Sequence, residues 1–256
     1  MNGLRARFFV IAVLLLANGI LAALWLNGMF ADRQNARRRE DDLRQVLKNN
    51  GVTLGENFTW PDGTAYTLYY EADEDTARET AAALLGDVTA TRKEDGAVRF
   101  ESAAGWAEVS DVNDWYAVAD APSLRAALAS NGFTGLVMED DDTARQRFDG
   151  LTVVNGGWTA IRSDGQQTQI FGSWIGGTPK AVRDTQTRPA DVCLLAYLGV
   201  ADALPFTAVL KIELVYLDRP SQSLLIPAWM MVTDVDFVYI DAVTGEEMGF
   251  MDGAAV

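Results

Sequence analysis

Hydrophobic positions are densest at the start of the chain, where Phe8 to Phe30 runs without one charged side chain. A bilayer core takes about 20 apolar residues as helix, and Phe8–Leu26 meets that length. The run therefore predicts an uncleaved single-span anchor. A removable signal peptide has a shorter apolar core and ends in a small-residue cleavage site. The candidate sites near Ala23 and Ala31 fit that pattern badly. The N-terminal division is then a short start (1–7), an anchor (8–30) and a charged helical stalk (31–50). In the stalk Leu43, Val46 and Leu47 recur at helical spacing, and Gly51 supplies the stop. Within the anchor, Asn18 and Ala22 lie one turn apart and are the candidate partner-binding residues. A small side chain lets helix backbones approach, and a buried amide seeks a polar group on another helix.

Beyond residue 50 the pattern changes to short alternating runs broken by turn residues. Ala65–Tyr70, Val88–Thr91, Val98–Glu101, Trp106–Val109 and Trp115–Val118 read as strands. Asp73-Glu74-Asp75-Thr76 places acids and caps at the start of a helix with Ala77, Ala81, Leu84 and Leu85 on one face and Gly86 at its end. A second helix runs from Pro122 to the Asn131-Gly132 stop. Leu151–Val154, Thr159–Ser163, Thr168–Trp174, Phe206–Leu217, Leu224–Val232 and Phe237–Ala242 are further strands, with Pro189–Leu198 an apolar helix. Strand runs interrupted by isolated helices predict an α+β protein: one N-terminal transmembrane helix, then two antiparallel-sheet lobes with packed helices. The lobes are placed at 51–146 and 147–256, with the acidic run Glu139-Asp140-Asp141-Asp142 as a solvated linker before the boundary near Thr143–Gly150.

Composition narrows the chemistry. The 256 residues are 49% hydrophobic, enough for a packed core, and carry a net charge of −15, which argues against nucleic acid as a partner. With no histidine, serine–histidine and cysteine–histidine catalysis and histidine-ligated zinc are excluded. The one cysteine, Cys193, sits among Val192, Leu194 and Leu195 and reads as a buried small hydrophobe. The four-acid run lacks the alternating oxygen ligands and central glycine of a calcium loop. No cofactor, metal or small-molecule substrate is expected. Asp234, Asp236 and Asp241 are the acids that an enzyme would pair for acid–base work. At a hairpin turn, however, aspartate is favoured for hydrogen bonds to local backbone. Trp106, Trp115, Trp158, Trp174 and Trp229 have the chemistry to stack on sugars, yet most are expected in the core.

The closing segment carries the specific pattern. Pro227-Ala228-Trp229-Met230-Met231-Val232 is followed by a turn at Asp234–Asp236. Then comes Phe237-Val238-Tyr239-Ile240-Asp241-Ala242-Val243-Thr244-Gly245-Glu246. This hairpin resembles the ending of PepSY-like domains and, with the Lys211–Leu217 strand, that of the YycI and YycH regulatory proteins, whose layout of one span and a two-lobed outer region is similar. The match covers residues 206–247 at motif level. The resemblance implies a non-enzymatic regulator that associates with a sensor histidine kinase of cell-wall homeostasis and with a YycH-like single-span protein. Charge bias around the span, with Arg33, Arg37, Arg38 and Arg39 after it, points to a cytoplasmic C-terminal side. Large domains, however, translocate largely regardless of local charge, and a seven-residue start is typical of a signal anchor, so the residues leave the side open. The resemblance implies an extracytoplasmic domain on a cell membrane. The alternative it leaves open is a PepSY-like domain that binds or inhibits a secreted hydrolase or peptide.

Overall fold

The computed structural model describes residues 42–248, apart from 111–112, 129–132, 134, 164–165 and 201–203. The expected anchor, with Asn18 and Ala22, lies outside the described residues. Among the described residues no helix is long and apolar enough to cross a membrane. The chain divides into two compact units, Met1–Leu54 and Gly55–Val256. In the first, helix α1 (42–49) ends where the Asn50 amide and side chain both donate to the Val46 carbonyl, and Gly51 takes φ +73°. A short strand, β1 (Thr53–Leu54), follows.

The second unit begins its regular structure with β2 (Tyr66–Tyr69) and helix α2 (Glu74–Leu85). Asp73 accepts from the Thr76 amide at 2.8 Å while Thr76 Oγ1 accepts from the Asp73 amide, a reciprocal cap that fixes the helix start. A meander follows: β3 (Thr89–Arg92), β4 (Val98–Ser102), β5 (Gly105–Val109) and β6 (Asp114–Ala119). After the five-residue helix α3 (Leu124–Leu128) come hairpin strands β7 (Leu136–Met138) and β8 (Thr143–Phe148). Then come the thirteen-residue β9 (Leu151–Ser163), β10 (Thr168–Ser173), β11 (Lys180–Gln186) and helix α4 (Ala190–Val200). The chain closes with β12 (Ala208–Arg219), β13 (Leu224–Thr233), β14 (Phe237–Asp241) and β15 (Glu247–Met248).

These strands join in one curled sheet, ordered β11-β2-β13-β12-β9-β10-β6-β5-β4-β3, with β7–β8 continuing from β9 and β14–β15 from β13. The α+β class expected from the sequence is thereby corrected. Strands hold 46% of the described residues and helices 20%, so the protein is mostly β, and one sheet stands where two separate lobes were expected. The physical reason lies in β9. Asn155-Gly156-Gly157 reads as a break between two short strands, but the strand runs through it. Gly157 adopts φ +152°, and a Cβ there would lie 2.3 Å from the Ala144 carbonyl oxygen, so glycine lets the backbone pass where a side chain would not fit. The acidic run 139–142, expected as a linker, is the turn of the β7–β8 hairpin. There Asp140 accepts from the Asp142 amide and Arg125 pairs with Asp141 at 2.6 Å.

Several apolar clusters line this sheet. One gathers Phe100, Ala107, Trp115, Trp158, Ile170 and Trp174 under α2 and α3, whose Ala81, Leu84, Leu124 and Leu128 face them. Another gathers Leu68, Tyr70, Val153, Ile175, Tyr216 and Leu225. Between the halves, β12 meets β9 in parallel at one residue pair, Tyr216 with Val153. Two carboxamides act in place of missing backbone partners there. Asn155 donates to the Asp218 carbonyl at 3.1 Å and accepts from its amide at 2.8 Å. Gln146 does the same for Ile175, at 2.7 and 3.1 Å. Each satisfies backbone groups that would be costly to bury alone.

Candidate functional site

An antiparallel sheet covered by helices on one face usually presents polar side chains on the other. The β4–β5–β6–β10–β9 part departs from that rule. Alternation turns Phe100, Ala107, Trp115, Ala117 and Ile170 inward, and Arg99, Trp106, Glu108, Tyr116 and Phe171 to the opposite side. Tyr116 and Phe171 stand directly opposite each other across β6 and β10, and remain 38% and 45% exposed. The Trp106 ring lies 5.4 Å from that of Tyr116, and the Arg99 guanidinium sits 4.0 Å above the indole. Ile161, on β9, extends the exposed apolar stripe.

Four charges around the Trp106 ring are paired with one another. Arg99 bridges Glu101 at 2.8 Å and approaches Glu108 at 3.8 Å, and Lys93 also pairs with Glu108. In a chain of net charge −15 this leaves a locally balanced surface with aromatic rings at its centre. Aromatic residues and arginine at the centre with few unpaired charges is the composition of protein-interface cores. Of the five tryptophans with stacking chemistry, Trp115, Trp158, Trp174 and Trp229 are buried, and Trp106 alone among them is partly exposed. The signal that identifies it is Glu108, two residues on, which shares its face.

The acids considered for catalysis are held in turns. Asp234 accepts from the amides of Thr207 and Ala208 and from the Thr207 hydroxyl, tying the β13–β14 turn to the start of β12 and lowering its pKa. Asp236 accepts from the Phe237 amide. Asp241 accepts from Val243 and Thr244 at 2.7 and 3.0 Å, while Gly245 takes φ +84° to complete the β14–β15 turn. Cys193 is fully buried, and that burial pushes its thiol up to about 11.

The sequence gives no hint of another polar feature, at the seam of the sheet. Asp218, one residue past the expected end of the Phe206–Leu217 strand, lies inside β12 with no exposed surface. Its Oδ1 accepts from the Tyr70 hydroxyl at 2.6 Å. Its Oδ2 and the nearby buried Ser173 hydroxyl form no well-aligned hydrogen bond. Burial, the dominant effect, pushes the acid up to about 6 against the pull of Tyr70 and Ser173, and the same environment raises the Tyr70 phenol strongly. Among the described residues no group of three or more histidine, cysteine or carboxylate side chains is placed to hold a metal. A cleft of about 220 Å³ lined by Tyr69, Glu71, Thr76, Gly176, Gly177 and Lys180 holds the Glu71–Lys180 ion pair at 3.1 Å. Comparison with protein-family models and with curated proteins returns no match to this chain.

Proposed function

We propose that the protein is a non-enzymatic, membrane-anchored regulator that associates with a sensor histidine kinase and a second single-span protein. In this reading Phe8–Phe30 is the anchor and the domain after it is extracytoplasmic. Two contacts hold the complex: helix packing around Asn18 and Ala22, and docking of the partner's outer domain on the Trp106–Tyr116–Phe171 face. The observation that carries the reading is the exposed aromatic stripe on a sheet face where polar side chains are the norm. The hairpin at 227–246 supports the kind of regulator, through its resemblance to YycI-like and YycH-like endings.

Variants separate the two contacts. Asn18→Leu removes an interhelical hydrogen bond of about 1 kcal/mol and is expected to reduce kinase co-purification several-fold while the outer domain stays folded. Co-purification at the unchanged level would remove Asn18 from the interface. Tyr116→Ala with Phe171→Ala deletes two central aromatics, each a candidate for at least about 2 kcal/mol of binding. The double variant is expected to lose the outer contact at a smaller cost in thermal stability than a core deletion, because both rings are only partly covered. Retained binding would place the partner elsewhere.

The alternative, a PepSY-like domain that binds a secreted hydrolase or peptide, is favoured by one feature. Among the described residues β3 pairs with β4 alone, at the end of the sheet order, with Thr89, Thr91 and Arg92 exposed. An extended segment can add to such an edge as a further strand.

A further inference from the structure

The seam holds a titratable group that the proposed function does not use. Among the described residues Asp218 departs from the rule that buried carboxylates find full hydrogen bonding. It lies where the two halves of the sheet meet through one parallel residue pair and the Asn155 clamp. We propose that the Asp218 carboxyl is a pH-sensitive latch on this seam, closed when protonated and loosened when ionised.

The groups around it set the direction of the response. From the end of β2, the Tyr70 hydroxyl donates to Oδ1; from β10, the Ser173 hydroxyl faces the carboxyl; from β6, the Asp114 carboxylate opposes its ionisation; on its own strand, the Arg219 amide favours it. On β9, Asn155 is neutral and binds the Asp218 backbone rather than its carboxyl. Across β13, Leu225 opposite Asp218 is apolar and fully buried. In the protonated state the acid proton can be given to Ser173 Oγ, so both carboxyl oxygens and the serine are satisfied. In the ionised state Ser173 can turn its hydroxyl to donate to Oδ2, but the charge stays buried away from water and the Asp114 carboxylate repels it. The seam relieves that cost by opening β12 from β9, the junction with the fewest backbone bonds to lose. Burial raises the transition to about pH 6. Mild acidification on the side of the membrane where the domain sits would therefore stiffen the connection between the aromatic face and the C-terminal hairpin.

The test is hydrogen exchange of the full chain in detergent micelles between pH 5 and 8, corrected for intrinsic exchange chemistry. Peptides spanning 151–158 and 212–219 are expected to accelerate from pH 5 to pH 8 by about tenfold more than β4 and β5 do, a difference of about 1.4 kcal/mol. Asp218→Asn, whose amide can donate permanently to Ser173, is expected to exchange slowly at both ends of the range. Tyr70→Phe removes the donor that stabilises the ionised form, and is expected to move the midpoint upward by about one unit. Equal acceleration in β4 and β12 would make Asp218 a determinant of global stability rather than a latch. A pH response kept in full by Asp218→Asn would assign the response to another group. Either result overturns the proposal, and neither depends on whether a kinase partner exists.

Discussion

Replacing Trp158 with alanine is expected to destabilise the protein by about 3–5 kcal/mol, the range for deleting a buried large aromatic. Its ring is 1% exposed, stacked at 4.6 Å on Trp174, and met edge-on by Phe133 at 5.3 Å and Trp115 at 6.1 Å. Deleting the indole leaves three rings around a cavity that the surrounding sheet cannot close. For a domain of this size the loss lowers Tm by roughly 10 °C. The indole nitrogen, however, is buried without a hydrogen-bond partner. Trp158→Phe therefore removes a polar penalty together with some packing, and is expected to cost far less than the alanine variant. Thermal unfolding of the two variants followed by near-ultraviolet circular dichroism checks the pair. Equal losses would mean that the ring contacts do not carry the core.

Asp218→Asn has the opposite sign at neutral pH. The folded-state pKa of about 6 stands above the ordinary carboxylate value of 3.8. The protonated acid thus gives its full stability below about pH 4, and that contribution is lost as pH rises through about 6. Above that, the native protein bears an ionised buried carboxylate that costs up to about 3 kcal/mol, from roughly two units at 1.4 kcal/mol each. The asparagine variant keeps an oxygen to accept from Tyr70 and carries no charge. It is expected to be more stable than the parent at pH 8 by up to about 3 kcal/mol and to match it at pH 4. Urea unfolding at pH 4, 6 and 8 measures both. A variant less stable at pH 8 would mean that the ionised carboxylate is better solvated than its burial implies.

How much of this was readable in advance follows from the period of the strands. Helix α2, with its Asp73 cap and Gly86 stop, and the β12–β13–β14 run were plain from alternation and turn residues, because each is local. The continuity of β9 was hidden because Asn155-Gly156-Gly157 is a turn signal in isolation. Only the close approach of the Ala144 carbonyl shows why glycine is needed in a strand there. The short edge strands β7, β11 and β15 gave no pattern of their own, since most of their side chains are partly or fully exposed and pairing with neighbours defines them. The aromatic face was half visible. Trp106 and Glu108 share a strand face by alternation, but Phe171 joins Tyr116 only through a register set 55 residues apart in sequence. The inward turn of Asp218 is hidden for a similar reason. Pro220, two residues on, marks a turn, yet Tyr216 two residues before it is buried on the same face and carries the acid inward with it. Asn18 and Ala22 lie outside the described residues, and the anchor rests on the apolar run alone.

Affinity purification decides whether the proposed anchored regulator binds a sensor kinase. The tagged full-length protein is purified from gently solubilised native membranes, and its bound proteins are identified by mass spectrometry. Recovery of a sensor histidine kinase with a second single-span protein, both lost in the Tyr116→Ala/Phe171→Ala and Asn18→Leu combination, is the predicted result. Recovery of a secreted hydrolase alone, or of no partner at all, would contradict it.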